Sequence, residues 1–198
     1  MPVEFVMKRV VFLAAAFLVA CGAGTPTATD LAPEAVPSSF ELEFEWMREA
    51  EIDLWMLHGQ GAVVAVTTSG LVGSDGRARL GKGCARQAGQ RFPWFAERLG
   101  SLVKSQGNHV GLVGERILAF PVEHHPLENP DLGLIARSAR ELIALADAAG
   151  YAEVVLPRPG CGGGGLEWPE VSRVLAPILD DRFLVVAMPP AARLPGTG

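Results

Sequence analysis

The sequence is short of several residue types that usually mark reactive chemistry. Its 198 residues include three cysteines at wide spacing, which match neither a zinc site nor a disulfide framework. Its four histidines lack the regular spacing of metal ligands, so no metal is expected. Charged residues make up only 20% of the chain, no lysine and arginine cluster is present, and the formal net charge is -5. This charge balance argues against binding to a nucleic-acid duplex, which relies on clustered cationic contacts.

The amino-terminal region also lacks an apolar run long enough for a transmembrane helix, which needs about 20 residues. The run Val10–Ala20 follows two basic residues and fits the core of a signal peptide. Leu18-Val19-Ala20-Cys21 resembles the lipobox of bacterial lipoproteins, whose cysteine is acylated. We therefore expect residues 1–20 to be a signal peptide and Cys21 to anchor the protein to a membrane. A cytoplasmic protein with a leader that is not genuine is the alternative.

Two segments are too poor in large apolar side chains to offset the entropy of ordering them. Residues 21–44 are rich in alanine, proline and threonine, and we expect a flexible tether after the lipid-attachment site. Residues 189–198 have a similar composition and are expected to be a disordered tail. The remaining stretch, 45–188, is predicted to form one folded domain, since its length suits a single hydrophobic core.

Short apolar runs alternate with helical patterns along this domain. Five runs rich in β-branched residues predict buried strands: Gly61–Thr67, Val110–Val113, Ile117–Val122, Glu153–Leu156 and Phe183–Ala187. Apolar residues at helical spacing predict three helices: Cys84–Leu99 interrupted by Pro93, Leu132–Gly150, and Trp168–Leu179. This alternation predicts an α/β fold, a three-layer α/β/α sandwich around a mixed, mostly parallel sheet. In such sheets ligands bind beyond the carboxyl ends of the strands.

The segment Pro157–Gly165 contains a run of four glycines between a predicted strand and a predicted helix. Backbone without Cβ atoms lets a ligand approach its N–H groups, and the following helix adds partial positive charge at its amino terminus. Such a loop favours phosphate or pyrophosphate. The segment is no Walker loop, because Lys-Ser or Lys-Thr does not follow it, and it lies too late in the chain for a dinucleotide fingerprint. A nucleotide site of another design is therefore indicated.

These features together resemble the macro domains, a family that binds ADP-ribose. The resemblance spans about Glu51 to Ala187 and rests on four motifs: Asp53 closing an early strand, the strand leading into Thr67-Thr68-Ser69, Gly81-Lys82-Gly83-Cys84-Ala85, and Pro159-Gly160-Cys161-Gly162 followed by Leu166-Glu167-Trp168. The last motif is similar to the loop of the bacterial and phage branch. The resemblance implies the three-layer fold above, with no cofactor.

The resemblance also implies a set of ligand-binding residues. Asp53 would accept a hydrogen bond from the adenine amino group, with Leu54 beside it. Thr67 and Thr68 would stand near the distal ribose, and one glycine loop would place its backbone against that ribose and the diphosphate. The other glycine loop would hold the diphosphate with its N–H groups. The full set is Asp53, Leu54, Thr67, Thr68, Gly81, Lys82, Gly83, Ala85, Gly160, Cys161, Gly162, Gly163, Gly164 and Gly165.

The sequence departs from the hydrolysing relatives at the positions of their catalytic groups. Those relatives carry a lysine after the strand that matches Ile117–Val122, where this chain has Glu123, and an aspartate in the glycine loop, where it has Gly164. We therefore expect binding of ADP-ribose or a related nucleotide without hydrolysis. The alternative is an ADP-ribosyl hydrolase with a different catalytic set around Glu123, His124 and Cys161, since carboxylates and histidines can act as general bases.

Overall fold

The computed structural model of the chain describes residues 47–187. The predictions of a signal peptide, a lipid at Cys21, a tether and a tail all fall outside these residues. Within them, no helix is both long enough and apolar enough to cross a membrane. The described residues form six strands: β1 (Arg48–Glu51), β2 (Val63–Ser69), β3 (Gly111–Gly114), β4 (Ile117–Glu123), β5 (Val154–Pro157) and β6 (Phe183–Ala187).

The six strands form one sheet in the order β1-β6-β5-β2-β4-β3. The first five strands in this order are parallel to their neighbours, and the edge strand β3 is antiparallel to β4. A parallel connection needs a crossover, which the chain supplies with helices. Because β6, β5, β2 and β4 are neighbours and run the same way, their carboxyl ends meet at one edge of the sheet.

Five helices cover the two faces of this sheet: α1 (Leu54–Gly59), α2 (Gly83–Arg91), α3 (Phe95–Gln106), α4 (Leu132–Ala149) and α5 (Trp168–Leu175). Side chains along β5 alternate between the two faces, as a strand requires. Val154 and Leu156 pack in the cluster that contains residues of α4 and α5, and Val155 packs in the cluster that contains residues of α1, α2 and α3. The predicted α/β/α sandwich with a mixed, mostly parallel sheet is therefore confirmed.

The predicted elements are present with small shifts at their ends. The five strands differ from their predicted bounds by at most two residues. Pro93 separates α2 from α3, and α4 ends at Gly150, which takes a left-handed conformation with φ 68°. Predicted from 168 to 179, the last helix ends earlier, at Leu175, and a turn follows in which the Leu179 N–H donates to the Leu175 carbonyl.

Candidate ligand-binding cleft

A cleft of about 430 Å³ opens at the carboxyl ends of β2, β4, β5 and β6. The residues that end these strands line it, together with the two glycine loops that precede α2 and α5. Pockets for small molecules commonly occur where parallel strands end and have about this volume. The cleft therefore lies where the sequence motifs predict a ligand.

The loop before α5 leaves three consecutive amides available. The N–H groups of Cys161, Gly165 and Leu166 donate to backbone carbonyls of this same loop at 3.1 to 3.3 Å. The N–H groups of Gly162, Gly163 and Gly164, which all line the cleft, donate to no acceptor within residues 47–187. Three neighbouring N–H groups without a protein acceptor are donors that the acceptor oxygens of an anion can use.

Lys82 connects the two glycine loops. It is the amino-terminal cap residue of α2, and its side chain lies across Gly163 of the other loop. A methyl group added at Gly163 would lie 2.7 Å from Cδ and 2.9 Å from Cγ of Lys82, so only glycine leaves room for this arrangement. Lys82 takes part in no salt bridge among the described residues. The aliphatic part of Lys82 thus lies against the glycine loop, and Lys82 lines the cleft with a positive charge.

At the β2 and β4 end, the cleft is lined by hydroxyl groups and one carboxyl group. Thr67, Thr68 and Ser69 end β2, and the Ser69 Oγ donates to the Arg79 carbonyl at 3.4 Å. Glu123 ends β4 and is half-buried. Burial raises the pKa of the Glu123 carboxyl above its ordinary value, although the nearby charge of Lys82 acts in the opposite direction. These groups suit the hydroxyls of a sugar.

At the β5 and β6 end, the cleft is lined by Arg158 and Trp168. The Arg158 guanidinium lies over the Trp168 ring, with its Cζ 4.9 Å from the ring centroid. Glu49 on β1 joins the two, because its Oε2 accepts from Arg158 Nη2 at 3.1 Å and from Trp168 Nε1 at 2.9 Å. This end of the cleft therefore offers an indole ring and a guanidinium whose charge is paired with Glu49.

Two cysteine thiols line the cleft, and both are protonated at neutral pH. Burial raises the pKa of Cys161 to about 11, although the charge of Arg158 lowers it in part. Burial likewise raises the pKa of Cys84 to about 12. The Cys161 S–H donates to the Pro159 carbonyl at 3.4 Å. A thiol in this state is a poor nucleophile.

The structure brings most of the predicted ligand residues together. The following line the cleft: Thr67, Thr68, Gly81, Lys82, Gly83, Ala85, Gly160, Cys161, Gly162, Gly163 and Gly164. Asp53, Leu54 and Gly165 do not. Leu54 is fully buried in the core, and the Gly165 N–H donates to the Gly162 carbonyl. The contribution of each residue to ligand binding stays a prediction.

Asp53 has a local structural role. Its Oδ1 accepts from the N–H of Trp55 at 2.7 Å and from the N–H of Met56 at 3.2 Å, which caps the amino terminus of α1. Its charge is close enough to raise the pKa of the cleft residue Cys84. Asp53 therefore lies near the cleft, with one of its two carboxylate oxygens already engaged.

Of the residues in the alternative catalytic set, the structure places Glu123 and Cys161 on the cleft wall. His124 is exposed and is not among the residues that line the cleft. Its carbonyl accepts from the Gly70 N–H at 3.1 Å, which fixes the backbone there. Within residues 47–187, no group of three histidine, cysteine or acidic side chains is arranged to hold a metal ion.

Several residues that line the cleft are not among those predicted from the sequence. Ser69, Gln87, Pro130, Arg158, Glu167 and Trp168 are examples. Trp168 stands in the motif that carries the family resemblance, and Arg158 adjoins that motif. Their position between the end of a strand and the start of a helix could therefore have indicated that they line the cleft. Gln87 lies inside α2, and nothing in the sequence distinguishes it from a solvent-facing residue.

No protein-family model and no curated protein matches the chain. Solved structures do. The macrodomain of Thermus aquaticus DarG has 21% identity and a TM-score of 0.56 over 72% of this chain and 98% of that chain. The macrodomain of Mycobacterium tuberculosis DarG has 23% identity and a TM-score of 0.58 over 73% of this chain and 98% of that chain.

A third similar structure is that of Thermosipho africanus DarTG in complex with ADP-ribose, with 17% identity and a TM-score of 0.58. The similarity covers 76% of this chain and 45% of that longer chain. Identities this low establish a shared fold and nothing finer. The strand order, the two helical layers and these neighbours agree, and the chain has an α/β fold of the macrodomain type.

Proposed function

We propose that the cleft binds ADP-ribose or a related nucleoside diphosphate. The observation that carries this proposal is the row of N–H groups at Gly162, Gly163 and Gly164, which belong to residues that line the cleft and donate to no acceptor within residues 47–187. Gly162 and Gly163 are exposed, so water can reach their N–H groups, and the acceptor oxygens of a ligand can take the place of this water. The fold neighbour that is in complex with ADP-ribose supports the same class of ligand.

The chemistry along the cleft fits the parts of such a ligand in order. Available amides and Lys82 lie in the middle, where a diphosphate would find donors and a cation. Hydroxyl and carboxyl groups lie at the β2 and β4 end, and the Trp168 ring and the Arg158 guanidinium lie at the β5 and β6 end. A compound with a central diphosphate, a sugar on one side and a nucleoside on the other has this arrangement.

Calorimetric titration of the full chain with ADP-ribose tests the proposal. Gly162→Ala is the informative variant, because a Cβ at this position meets nothing within 4 Å and Gly162 does not have a positive φ. The fold should therefore persist while the methyl group obstructs the anion site. We expect a loss of affinity of about tenfold or more, since one charge-assisted hydrogen bond contributes about 1.5 to 3 kcal/mol.

Gly59→Ala is the matched control for this experiment. A Cβ at Gly59, at the end of α1, also meets nothing within 4 Å, and Gly59 is not among the residues that line the cleft. This variant should bind as the unmodified protein does. Absence of heat with ADP-ribose and with other nucleoside diphosphates would contradict the proposal, and so would equal affinities of the two variants.

Hydrolysis of an ADP-ribosyl bond is a second candidate, and one observation favours it. Glu123 lies on the cleft wall with a raised pKa, which is a property of carboxyl groups that act as general acids or bases. The protonated thiol of Cys161 and the exposed His124 support no further catalytic group. Release of ADP-ribose from a modified macromolecule, lost in Glu123→Gln, would favour the enzyme; tight binding without release would favour a binding module.

We also propose that Cys21 carries a lipid that attaches the protein to a bacterial membrane, with a cytoplasmic protein as the alternative. The apolar run Val10–Ala20 and the lipobox-like residues that follow it support this proposal. The test is the mass of the mature amino terminus of the protein isolated from a bacterium. A diacylated Cys21 is the expected result, and an intact Met1 or an internal methionine start would overturn the proposal.

A further inference from the structure

Positive charge is unevenly distributed over the described domain. Residues 70–106, which contain α2 and α3, have seven lysines and arginines and two acidic residues, a formal charge of +5. The other described residues, 47–69 and 107–187, have seven lysines and arginines and fourteen acidic residues, a formal charge of -7. One part of an acidic protein is therefore strongly basic. Its exposed cations outside the cleft lining form what we call the basic face: Arg77, Arg79, Arg86, Arg91, Arg98 and Lys104.

The fold brings these scattered cations to one side of the domain. Helices α2 and α3 bury their apolar residues in the same cluster, against one face of the sheet. The exposed residues of both helices therefore lie on the outer side of one layer. The loop that carries Arg77 and Arg79 packs on α3, because the Ala78 N–H donates to a carbonyl of that helix, at Ala96, at 2.8 Å. The six cations are thus exposed on the same helical layer.

Most cations of the basic face have no acidic partner. Arg79 forms a salt bridge with Asp75 at 3.4 Å, and the other five form none within residues 47–187. Elsewhere in the described domain, four of the seven lysines and arginines pair with acidic side chains: Arg48, Arg137, Arg158 and Arg182. The basic face therefore presents positive charge that the described residues do not neutralise, and this favours a partner with many negative charges.

The aromatic side chains of this layer are engaged within the protein. Trp55 is buried, and the Arg91 Cζ lies 5.2 Å from its ring centroid. Phe92 packs against the rings of Trp55 and Trp94, and the Arg98 Cζ lies over the second of these rings at 4.5 Å. Proteins that bind single-stranded nucleic acids stack bases on accessible aromatic rings, whereas anionic lipid headgroups need only exposed cations. The basic face therefore fits a lipid surface better than a nucleic acid.

We propose that the basic face binds the surface of a membrane that contains anionic lipids. A bilayer presents many phosphate groups side by side, and each exposed lysine or arginine close to them adds to the attraction. This surface lies outside the cleft, and its role does not rest on the proposed binding of ADP-ribose. The proposed lipid at Cys21 would bring the basic face close to a bilayer, but a protein without this lipid should show the same preference for anionic headgroups.

The test is co-sedimentation of the full chain with vesicles of two compositions: an equimolar mixture of phosphatidylglycerol and phosphatidylcholine, and phosphatidylcholine alone. The variant Arg91→Gln/Lys104→Gln removes two charges from the basic face. The matched control Arg140→Gln/Arg173→Gln removes two charges from exposed positions of α4 and α5, which cover the opposite face of the sheet. None of these four residues lines the cleft or forms a salt bridge within residues 47–187.

We expect the unmodified protein to bind the anionic vesicles more tightly than the neutral ones, and added salt to weaken this binding because it screens the charges. The basic-face variant should bind the anionic vesicles about 25-fold more weakly, since each cation close to an anionic surface contributes about fivefold. The control should bind nearly as the unmodified protein does. Thermal melting checks that both variants fold, and the apolar run Val10–Ala20 is common to all of these proteins.

Three results would overturn the inference. One is equal binding of the unmodified protein to both kinds of vesicle, and another is an equal loss in the two variants, which would mean that net charge acts and not one face. The third is binding of a single-stranded oligonucleotide that depends on the basic face while vesicle binding does not, which would identify a nucleic acid as the partner. Calorimetry with ADP-ribose keeps the two proposals apart, because both variants retain the cleft residues, and a protein that binds no ADP-ribose leaves the vesicle result standing.

Discussion

At the scale of single residues, the charge of Glu123 opposes the ligand that the cleft is proposed to bind. Glu123 lines the same cleft as the glycine amides, and an ionised carboxylate there repels a diphosphate. Burial raises its pKa, with Glu128 acting in the same direction and with Lys82 and His125 acting in the opposite one. Protonation of Glu123 therefore removes a repulsive charge that is already costly to bury.

This residue gives the cleft a pH dependence of known sign. We expect the affinity for ADP-ribose to increase as the pH falls through the raised pKa of Glu123, because the neutral carboxyl no longer repels phosphate. The measurement is calorimetric affinity against pH. Glu123→Gln should bind more tightly at neutral pH and lose this part of the dependence. Glu97→Gln, on the exposed surface of α3, should behave as the unmodified protein does.

The same raised pKa affects the stability of the fold. A carboxyl whose pKa is higher in the folded than in the unfolded protein contributes favourably when protonated, and this contribution is lost as the pH rises through the folded-state pKa. The melting temperature of Glu123→Gln should therefore exceed that of the unmodified protein by more at neutral than at acidic pH. A constant difference would show that Glu123 does not titrate in the folded protein as inferred.

Asp53 shows how one residue can combine a structural and a proposed binding role. Its Oδ1 caps α1, so Asp53→Ala should lower the free energy of unfolding by about 1 kcal/mol. Asparagine caps helices about as well as aspartate, so Asp53→Asn should keep the stability and remove the charge. Denaturant unfolding and calorimetry on both variants separate the roles. Full affinity in Asp53→Asn would contradict a carboxylate that receives the adenine amino group.

At the scale of elements, the glycine loop before α5 combines positions with different steric demands. A Cβ at Gly164 would lie 2.5 Å from the Gly160 carbonyl oxygen and 2.5 Å from Pro130 Cγ, which are rigid neighbours. A Cβ at Gly163 meets only the flexible side chain of Lys82, and a Cβ at Gly162 meets nothing within 4 Å. Packing fixes Gly164, whereas the open side of the loop leaves Gly162 free for a ligand.

We therefore expect Gly164→Ala to reduce the stability of the fold and Gly162→Ala to reduce the affinity for the ligand. Gly164→Ala should lower the free energy of unfolding by about 1 to 3 kcal/mol, as overpacking commonly does, and Gly162→Ala should leave it nearly unchanged. Urea denaturation of both variants measures the difference. Equal destabilisation by the two alanines would mean that the loop is not held against Pro130 in the way described.

Elements also differ in how well the sequence predicts them. The strands β2, β4, β5 and β6 are buried on both faces and appear as continuous apolar runs, so their positions follow from hydropathy. The edge strand β1 is mostly exposed and has the sequence Arg48-Glu49-Ala50-Glu51, so it shows no apolar run. Its pairing with β6 uses backbone hydrogen bonds, which leave no mark in the sequence. The short helix α1 lacks a long periodic pattern for a related reason: it has only six residues.

At the scale of the whole molecule, the site could be predicted in its middle and less well at its two ends. Glycine loops between a strand and a helix are visible in the sequence, and they line the cleft. The contacts of Arg158 and Trp168 with Glu49 need β1 beside β6 and β5, an order that the sequence does not reveal. Glu123 is recognisable only as a departure from related sequences, since its burial depends on loops far away along the chain.

The cleft is built from the ends of four strands, so a ligand bound there contacts elements from most of the domain and should stabilise the entire fold. Binding to the folded state alone adds about 2.7 kcal/mol at a ligand concentration one hundred times the Kd. For a domain of this size, that corresponds to an increase in melting temperature of roughly 5 to 10 °C.

Thermal melting with and without ADP-ribose measures this increase. We expect the increase in the unmodified protein and in Gly59→Ala, and a much smaller one in Gly162→Ala at the same ligand concentration, because the added methyl group stands next to the Gly162 amide and meets no protein atom within 4 Å. An equal increase in Gly162→Ala would contradict a ligand held by the amides of this loop.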